Sequence, residues 1–175
     1  MGFGTAIASG FNNYANFSGR APRSEYWWWL LFIFLVNFGT GFAAGITDVA
    51  VGSKTPVHIV QGVMTLVFLL PNIAMTFRRL HDLNRSGWWY GALLIVVMFL
   101  VALAVPIVLR MHENRLSGYP PNDGIPTGVF LILAALGLAE VVLGLLLFIW
   151  SLLPGTRGQN RFGADPLRRD RAVAF

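Results

Sequence analysis

The sequence predicts an all-α integral membrane protein, a bundle of four transmembrane helices. Hydrophobic residues make up 55% of the 175 residues and charged residues only 12%, far from the balance of a soluble domain. The apolar residues are concentrated in four long runs, without the alternation of roughly ten residues that a membrane β-barrel strand shows. Because a helix satisfies its own backbone hydrogen bonds in hydrocarbon, we expect each run to be a helix.

Each run is long enough to cross a bilayer, which takes roughly 17 to 25 mostly apolar residues. Pro71 and Pro106 lie inside the second and third runs. They predict bends, because neighbouring helices tolerate the carbonyl group that a proline frees. The predicted spans are about 27–46, 59–77, 88–109 and 129–153.

The chain before the first span predicts an amphipathic helix that lies in the membrane interface. Large apolar residues recur at helical spacing from Phe3 to Phe17, with small and polar residues between them. A loosely ordered tail is the alternative, since Gly4 and Gly10 weaken a helix.

The spans and the charged ends divide the chain into an N-terminal segment, a membrane domain and a basic tail. These are residues 1–24, 25–155 and 156–175.

The basic residues predict the orientation, because short loops rich in Lys and Arg stay on the cytoplasmic side. Ten of the 13 basic residues flank the spans on the side that holds both termini. We therefore expect both termini in the cytoplasm. This pattern explains the basic balance without a nucleic acid partner. The ten are Arg20, Arg23, Arg78, Arg79, Arg85, Arg157, Arg161, Arg168, Arg169 and Arg171.

Three polar stretches fall on that side: FSGRAPRSEYWWW (17–29), RRLHDLNRSGWW (78–89) and LPGTRGQNRFGADPL (153–167). In this order, and separated by apolar runs, they resemble the motifs of the DUF805 family of small bacterial inner-membrane proteins. The resemblance covers roughly residues 11–167. It implies a multi-pass protein of the bacterial inner (plasma) membrane, and it implies no reaction because the family is named for its unknown function.

The third stretch departs from the family pattern. The family usually shows Pro, Glu and Pro at the positions of Arg157, Gln159 and Ala164. These departures concern the conformation of the tail.

Two interpretations are open for the arginines in these stretches. In the first, ion pairs tie the N-terminal segment, the central loop and the tail into a cytoplasmic cap, with Glu25, Asp82 and Asp165 as the acidic partners. If the second spanning helix continued past the membrane, Arg78, Asp82 and Arg85 would share one face of it. Asp82 would then also reach Arg79.

In the second interpretation, the surplus of arginines over acids binds an anionic lipid head group or a phosphorylated ligand, since the planar guanidinium suits a phosphate. Tryptophans at the ends of spans also anchor helices at head-group level. The candidates are Arg20, Arg23, Arg78, Arg79, Arg85, Trp88, Trp89 and Arg161.

His81 beside Asp82 suggests catalysis, but neighbours on a helix do not face each other, and no nucleophile motif accompanies them. His58 and His112 are predicted on the opposite side of the membrane, so we expect no metal site. No cofactor is expected either. A lipid-modifying enzyme is therefore an alternative without a supporting motif.

Glu140 is predicted near the middle of the bilayer, where ionisable side chains are costly and often functional. It favours, as a second alternative, a small transporter or channel component. Asn37, Gln61 and Asn72 lie in other spans and offer a neutral Glu140 structural hydrogen bonds.

The sequence thus predicts a non-enzymatic inner-membrane protein with an arginine- and tryptophan-rich cytoplasmic cap. Its predicted partners are anionic lipids, a second copy of the chain or another membrane protein.

Overall fold

The computed structural model describes residues 1–51, 57–116 and 126–167. These residues form five α-helices and no β-strand, which confirms the all-α prediction. Helices α2 to α5 are each long and apolar enough to cross a bilayer, as predicted. The helices are α1 (Phe3–Asn12), α2 (Arg23–Val51), α3 (Val57–Asp82), α4 (Trp88–Leu116) and α5 (Thr127–Leu152).

Helix α2 begins at Arg23, four residues before its predicted span, because Pro22 precedes it. Proline has no N–H group and is therefore disfavoured inside a helix, but its fixed φ angle is compatible with the start of one. The Pro22 carbonyl accepts a hydrogen bond from the Tyr26 N–H at 3.2 Å. Arg23 and Glu25 therefore lie in the first turn of α2.

Helix α3 ends in a Schellman turn. Asn84 adopts a left-handed conformation with φ 57°. Arg85 N donates to Leu80 O and Asn84 N donates to His81 O, both at 2.9 Å, which is the hydrogen-bond pattern of this motif. Arg85 therefore lies beyond the helix and does not extend the face that carries Asp82, as a continuous helix would have required.

The chain separates into two compact units. The first contains Met1–Gly87 and the chain from Ser151 onward, and the second is Trp88–Trp150. In the second unit, the rings of Trp89 and Trp150 meet edge to face with their centroids 5.5 Å apart. Helices α3 and α4 continue through the prolines at which we predicted bends.

The core of the first unit forms around the buried ring of Trp29. A side chain at Gly10 would overlap that ring, so glycine permits α1 to approach α2 closely. The Phe11 ring contacts the rings of Trp29 and Phe68 edge-on or tilted. The buried core residues are Ala21, Trp29, Phe68 and Met75.

The N-terminal segment is helical over Phe3–Asn12. The helical spacing predicted as far as Phe17 therefore ends earlier, and Tyr14 and Phe17 lie beyond the helix. The Tyr14 hydroxyl donates to the Val67 carbonyl of α3. Helix α1 thus packs on α2 and α3 of its own unit. Its location in a membrane interface stays a prediction, as does the division at residues 24 and 155.

Candidate functional site

The carboxylate of Asp82, at the end of α3, joins two buried arginines. Arg20 Nε and Nη2 lie 3.0 and 2.9 Å from Asp82 Oδ1. Arg79 Nη1 donates to Asp82 Oδ2 at 2.8 Å. All three side chains are at most 4% exposed. Both carboxylate oxygens are therefore held in a cluster, the Asp82 cluster, formed by Arg20, Arg79 and Asp82.

Arg20 also binds three backbone carbonyls of the segment after α5. Its Nη1 donates to Gly158 O at 2.6 Å and to Gly163 O at 3.4 Å, and its Nη2 donates to Thr156 O. Gly158 and Gly163 have positive φ angles of 75° and 137°, conformations that glycine adopts without strain. The guanidinium thus connects the N-terminal segment, α3 and the C-terminal segment (residues 153–167).

The C-terminal segment caps the end of α3. Thr156 donates to Asp82 O through both its N–H, at 2.8 Å, and its hydroxyl, at 3.0 Å. The Asn160 side-chain amide donates to His81 O at 2.9 Å. Gly155 lies against the Asp82 carboxylate so closely that a Cβ there would overlap it. These bonds satisfy carbonyls that the end of a helix leaves without partners.

Two arginines bind the last carbonyls of α5. Arg79 Nη2 donates to Ser151 O at 3.1 Å and also to Leu153 O. Arg23 Nη1 donates to Leu152 O at 3.1 Å. Cations at a helix C-terminus are favoured by the helix dipole as well as by the hydrogen bonds. The end of α5 is therefore fixed to α2 and α3 within the first unit.

A second buried ion pair lies beside the first. Arg78 Nη1 is 3.3 Å from Glu25 Oε1, and both side chains are at most 5% exposed. The same Glu25 oxygen accepts a hydrogen bond from the Ser9 hydroxyl of α1 at 2.7 Å. The Ala21 N–H donates to the backbone carbonyl of Arg78 at 3.0 Å. This pair connects α1, α2 and α3.

His81 is held by contacts on two sides. Its Nδ1 donates to Gly19 O at 3.2 Å. Its ring stacks on Phe162 with centroids 3.8 Å apart and planes 5° apart. The guanidinium carbon of Arg161 lies over the Phe162 ring, 4.7 Å from its centroid. Arg161 Nη2 donates to Asn84 O. The described residues contain no group of three or more His, Cys, Asp or Glu side chains that could hold a metal ion.

The structure separates the eight predicted anion-binding residues into two sets. Three arginines are buried and engaged in the contacts just described: Arg20, Arg78 and Arg79. The other five are exposed: Arg23, Arg85, Trp88, Trp89 and Arg161. The three predicted carboxylates also differ, since Asp165 accepts the backbone N–H groups of Gly158 and Leu167 at 3.0 Å. Anion binding itself stays a prediction.

A groove of about 1160 Å³ lies between the start of α2 and the C-terminal segment. Arg23 and Arg157 line it together with the indole rings of Trp27 and Trp28. Trp27 Nε1 donates to Ser151 O at 3.4 Å. All lining residues belong to the first unit. Asp82 also lines the groove, which therefore combines cationic and apolar surface next to the Asp82 cluster.

The predicted intramembrane polar residues have few partners. Asn37 Nδ2 donates to Ile33 O of its own helix at 2.8 Å. Asn72 Oδ1 and Glu140 Oε2 are buried, and neither atom has a hydrogen-bond partner among the described residues. The transport alternative based on Glu140 stays a prediction.

Sequence reasoning did not identify the residues of the C-terminal segment that hold the site together. These residues cap α3, lie against the Asp82 carboxylate, accept hydrogen bonds from Arg20 or stack on His81. The signal for them was a Gly- and Pro-rich stretch containing Thr and Asn in an otherwise apolar chain. They are Gly155, Thr156, Gly158, Asn160, Phe162 and Gly163.

Four helices that are long and apolar enough to cross a bilayer define the class of a helical multi-pass membrane protein. The sequence matches the family described as Protein of unknown function (DUF805) over residues 14–164. The chain belongs to this family, as the three polar stretches predicted.

Two relatives of the chain are named as inner membrane proteins. The chain is 30% identical over 158 residues to Inner membrane protein YhaH of Escherichia coli K12, covering 88% of this chain and 89% of the relative. It is 38% identical over 111 residues to Inner membrane protein YhaI of the same strain, covering 63% and 87%. It is also 28% identical over 151 residues to Uncharacterized protein YiiR, covering 86% and 85%. No solved structure matches the chain significantly.

Proposed function

We propose that this chain is a non-enzymatic, multi-pass protein of the bacterial inner membrane that binds anionic lipid head groups at its cytoplasmic face. The names of YhaH and YhaI support the membrane assignment. The excess of arginine on one side of the spans supports cytoplasmic termini. A second copy or another membrane protein stays a predicted partner.

The observation that carries the binding proposal is the division of the arginines. The buried guanidiniums are already used by Asp82, Glu25 and backbone carbonyls. Arg23, Arg157 and Arg161 lie exposed near the same ends of the helices. Juxtamembrane cations attract anionic lipids, so these exposed side chains are the ones that the proposal assigns to head groups. His81 is engaged by Gly19 and Phe162, which supports a structural role for it.

The proposed orientation predicts which single cysteines react with a membrane-impermeant maleimide. The chain has no native cysteine, so each probe is unique. In cells whose inner membrane is intact, we expect Ser117→Cys, in the loop predicted between the third and fourth spans, to be labelled. Ser18→Cys and Gln159→Cys should be labelled after the inner membrane is permeabilised. Labelling of Ser18→Cys in intact cells would contradict cytoplasmic termini.

The binding proposal predicts that gently purified protein retains more anionic phospholipid than its source membrane contains. Each cation near a head group contributes about 1 kcal/mol, or roughly fivefold in affinity, so an enrichment of about fivefold or more is expected. Quantitative lipid analysis of the purified protein measures the ratio of phosphatidylglycerol to phosphatidylethanolamine. A ratio equal to that of the membrane would contradict the proposal, and a co-purified membrane protein without lipid enrichment would favour the protein partner instead.

A further inference from the structure

The groove at the start of α2 offers two surfaces that a single amphiphile would satisfy together. Arg23 and Arg157 provide guanidinium groups, and Trp28 and Leu31 provide an apolar wall. Trp28 and Leu31 are 39% and 40% exposed in the protein. A free phosphate would leave the apolar wall uncovered, and a hydrocarbon would leave the arginines without an anion.

We propose that this groove binds one anionic glycerophospholipid, with its phosphate contacted by Arg23 and Arg157 and an acyl chain along Trp28 and Leu31. The proposal rests on the proposed function and assigns it to one site. It distinguishes a bound lipid from the general attraction of lipids to a basic surface.

The charges around the groove favour an anion. Asp82 lines the groove and is paired with Arg20 and Arg79. The lining and these two arginines together contain four arginines, Arg20, Arg23, Arg79 and Arg157, against two aspartates, Asp82 and Asp165. The formal charge is therefore two positive. Arg20 and Arg79 neutralise Asp82 from inside, so this carboxylate does not oppose a phosphate with an uncompensated charge.

The two arginines that line the groove have N–H groups that make no hydrogen bond within the described residues. Arg23 uses Nη1 for Leu152 O, and its Nε and Nη2 make no hydrogen bond within the described part of the chain. Arg157 is exposed and makes no hydrogen bond or ion pair to any described residue. Because a guanidinium presents its N–H groups in a planar fork, the pair suits the non-bridging oxygens of one phosphate.

The decisive variant is Arg157→Gln, because the loss of a side chain without described partners should not disturb the fold. Native mass spectrometry of the detergent-solubilised full chain, titrated with phosphatidylglycerol, gives the occupancy of the first bound lipid. We expect Arg157→Gln to weaken this binding about tenfold, as removal of one charge-assisted hydrogen bond predicts. Arg23→Gln should act in the same direction.

Arg85→Gln is the matched control, since it removes an exposed arginine of the same face that does not line the groove. Retained binding in Arg85→Gln with loss in Arg157→Gln supports the groove. Equal losses in both variants would overturn the groove while leaving the proposed function intact. A wild-type chain that binds phosphatidylglycerol no better than phosphatidylcholine would overturn both.

Two further probes test the lipid as occupant. Inorganic phosphate and glycerol 1-phosphate carry the same anion without acyl chains. If either one displaces phosphatidylglycerol at equal concentration, the groove is a phosphate site and the lipid proposal is overturned. If displacement requires a large excess, the apolar wall contributes to binding as proposed.

Discussion

Asp82→Asn is expected to cost about 3–5 kcal/mol of unfolding free energy, the loss that follows when one partner of a buried ion pair is removed. The substitution keeps the size of the side chain beside Gly155, so the effect reports charge and hydrogen bonding rather than volume. It leaves Arg20 and Arg79 buried with their charges uncompensated. Titration with SDS in mixed micelles, followed by tryptophan fluorescence, measures the loss.

The control is Asp48→Asn. Asp48 Oδ2 lies 2.6 Å from His58 Nε2, but these side chains are 30% and 47% exposed. Because solvent screens an exposed pair, we expect this substitution to change stability by about 1 kcal/mol or less. Equal effects of the two substitutions would contradict the view that burial makes the Asp82 cluster stabilising.

The helices could be predicted from the sequence because their signal is local. A run of apolar residues long enough to cross a bilayer has few alternatives to a helix. The ends of the helices were harder to predict than their apolar centres. Polar residues can extend a helix beyond the hydrocarbon, and the turn that ends α3 depends on the conformation of one residue. Asn84 in a left-handed conformation ends that helix at Asp82. The predicted span stopped at residue 77.

The site could be predicted by residue type, but only its local pair, Arg79 with Asp82, could be predicted partner by partner. Arg20 and Asp82 were both named as candidates, yet they are 62 residues apart, and sequence spacing does not identify such a pair. The expectation from helical spacing was that Asp82 would reach Arg79, and it does. The partner of Arg78 in the structure is Glu25 of α2, which only the packing of α2 on α3 determines.

The contacts of Arg20 predict that Arg20→Lys also destabilises the protein, although it preserves the charge. A lysine has one nitrogen and cannot bind Asp82 together with the carbonyls of Thr156, Gly158 and Gly163 as the guanidinium does. We expect a loss of about 2–4 kcal/mol, from acceptors left buried without donors. The C-terminal segment should be released first, which trypsin detects as faster cleavage after Arg157.

Arg161→Lys is the matched control for this substitution. Arg161 is exposed and its described hydrogen bond is one Nη2 contact with Asn84 O, which a lysine can replace. We expect a change within about 0.5 kcal/mol. If Arg20 and Asp82 act as one unit, adding Asp82→Asn to Arg20→Lys should cost less than the sum of the single losses. Additive losses would mean that the carbonyl contacts of Arg20 stabilise the C-terminal segment independently of Asp82, and the Asp82 cluster would then be two separate interactions.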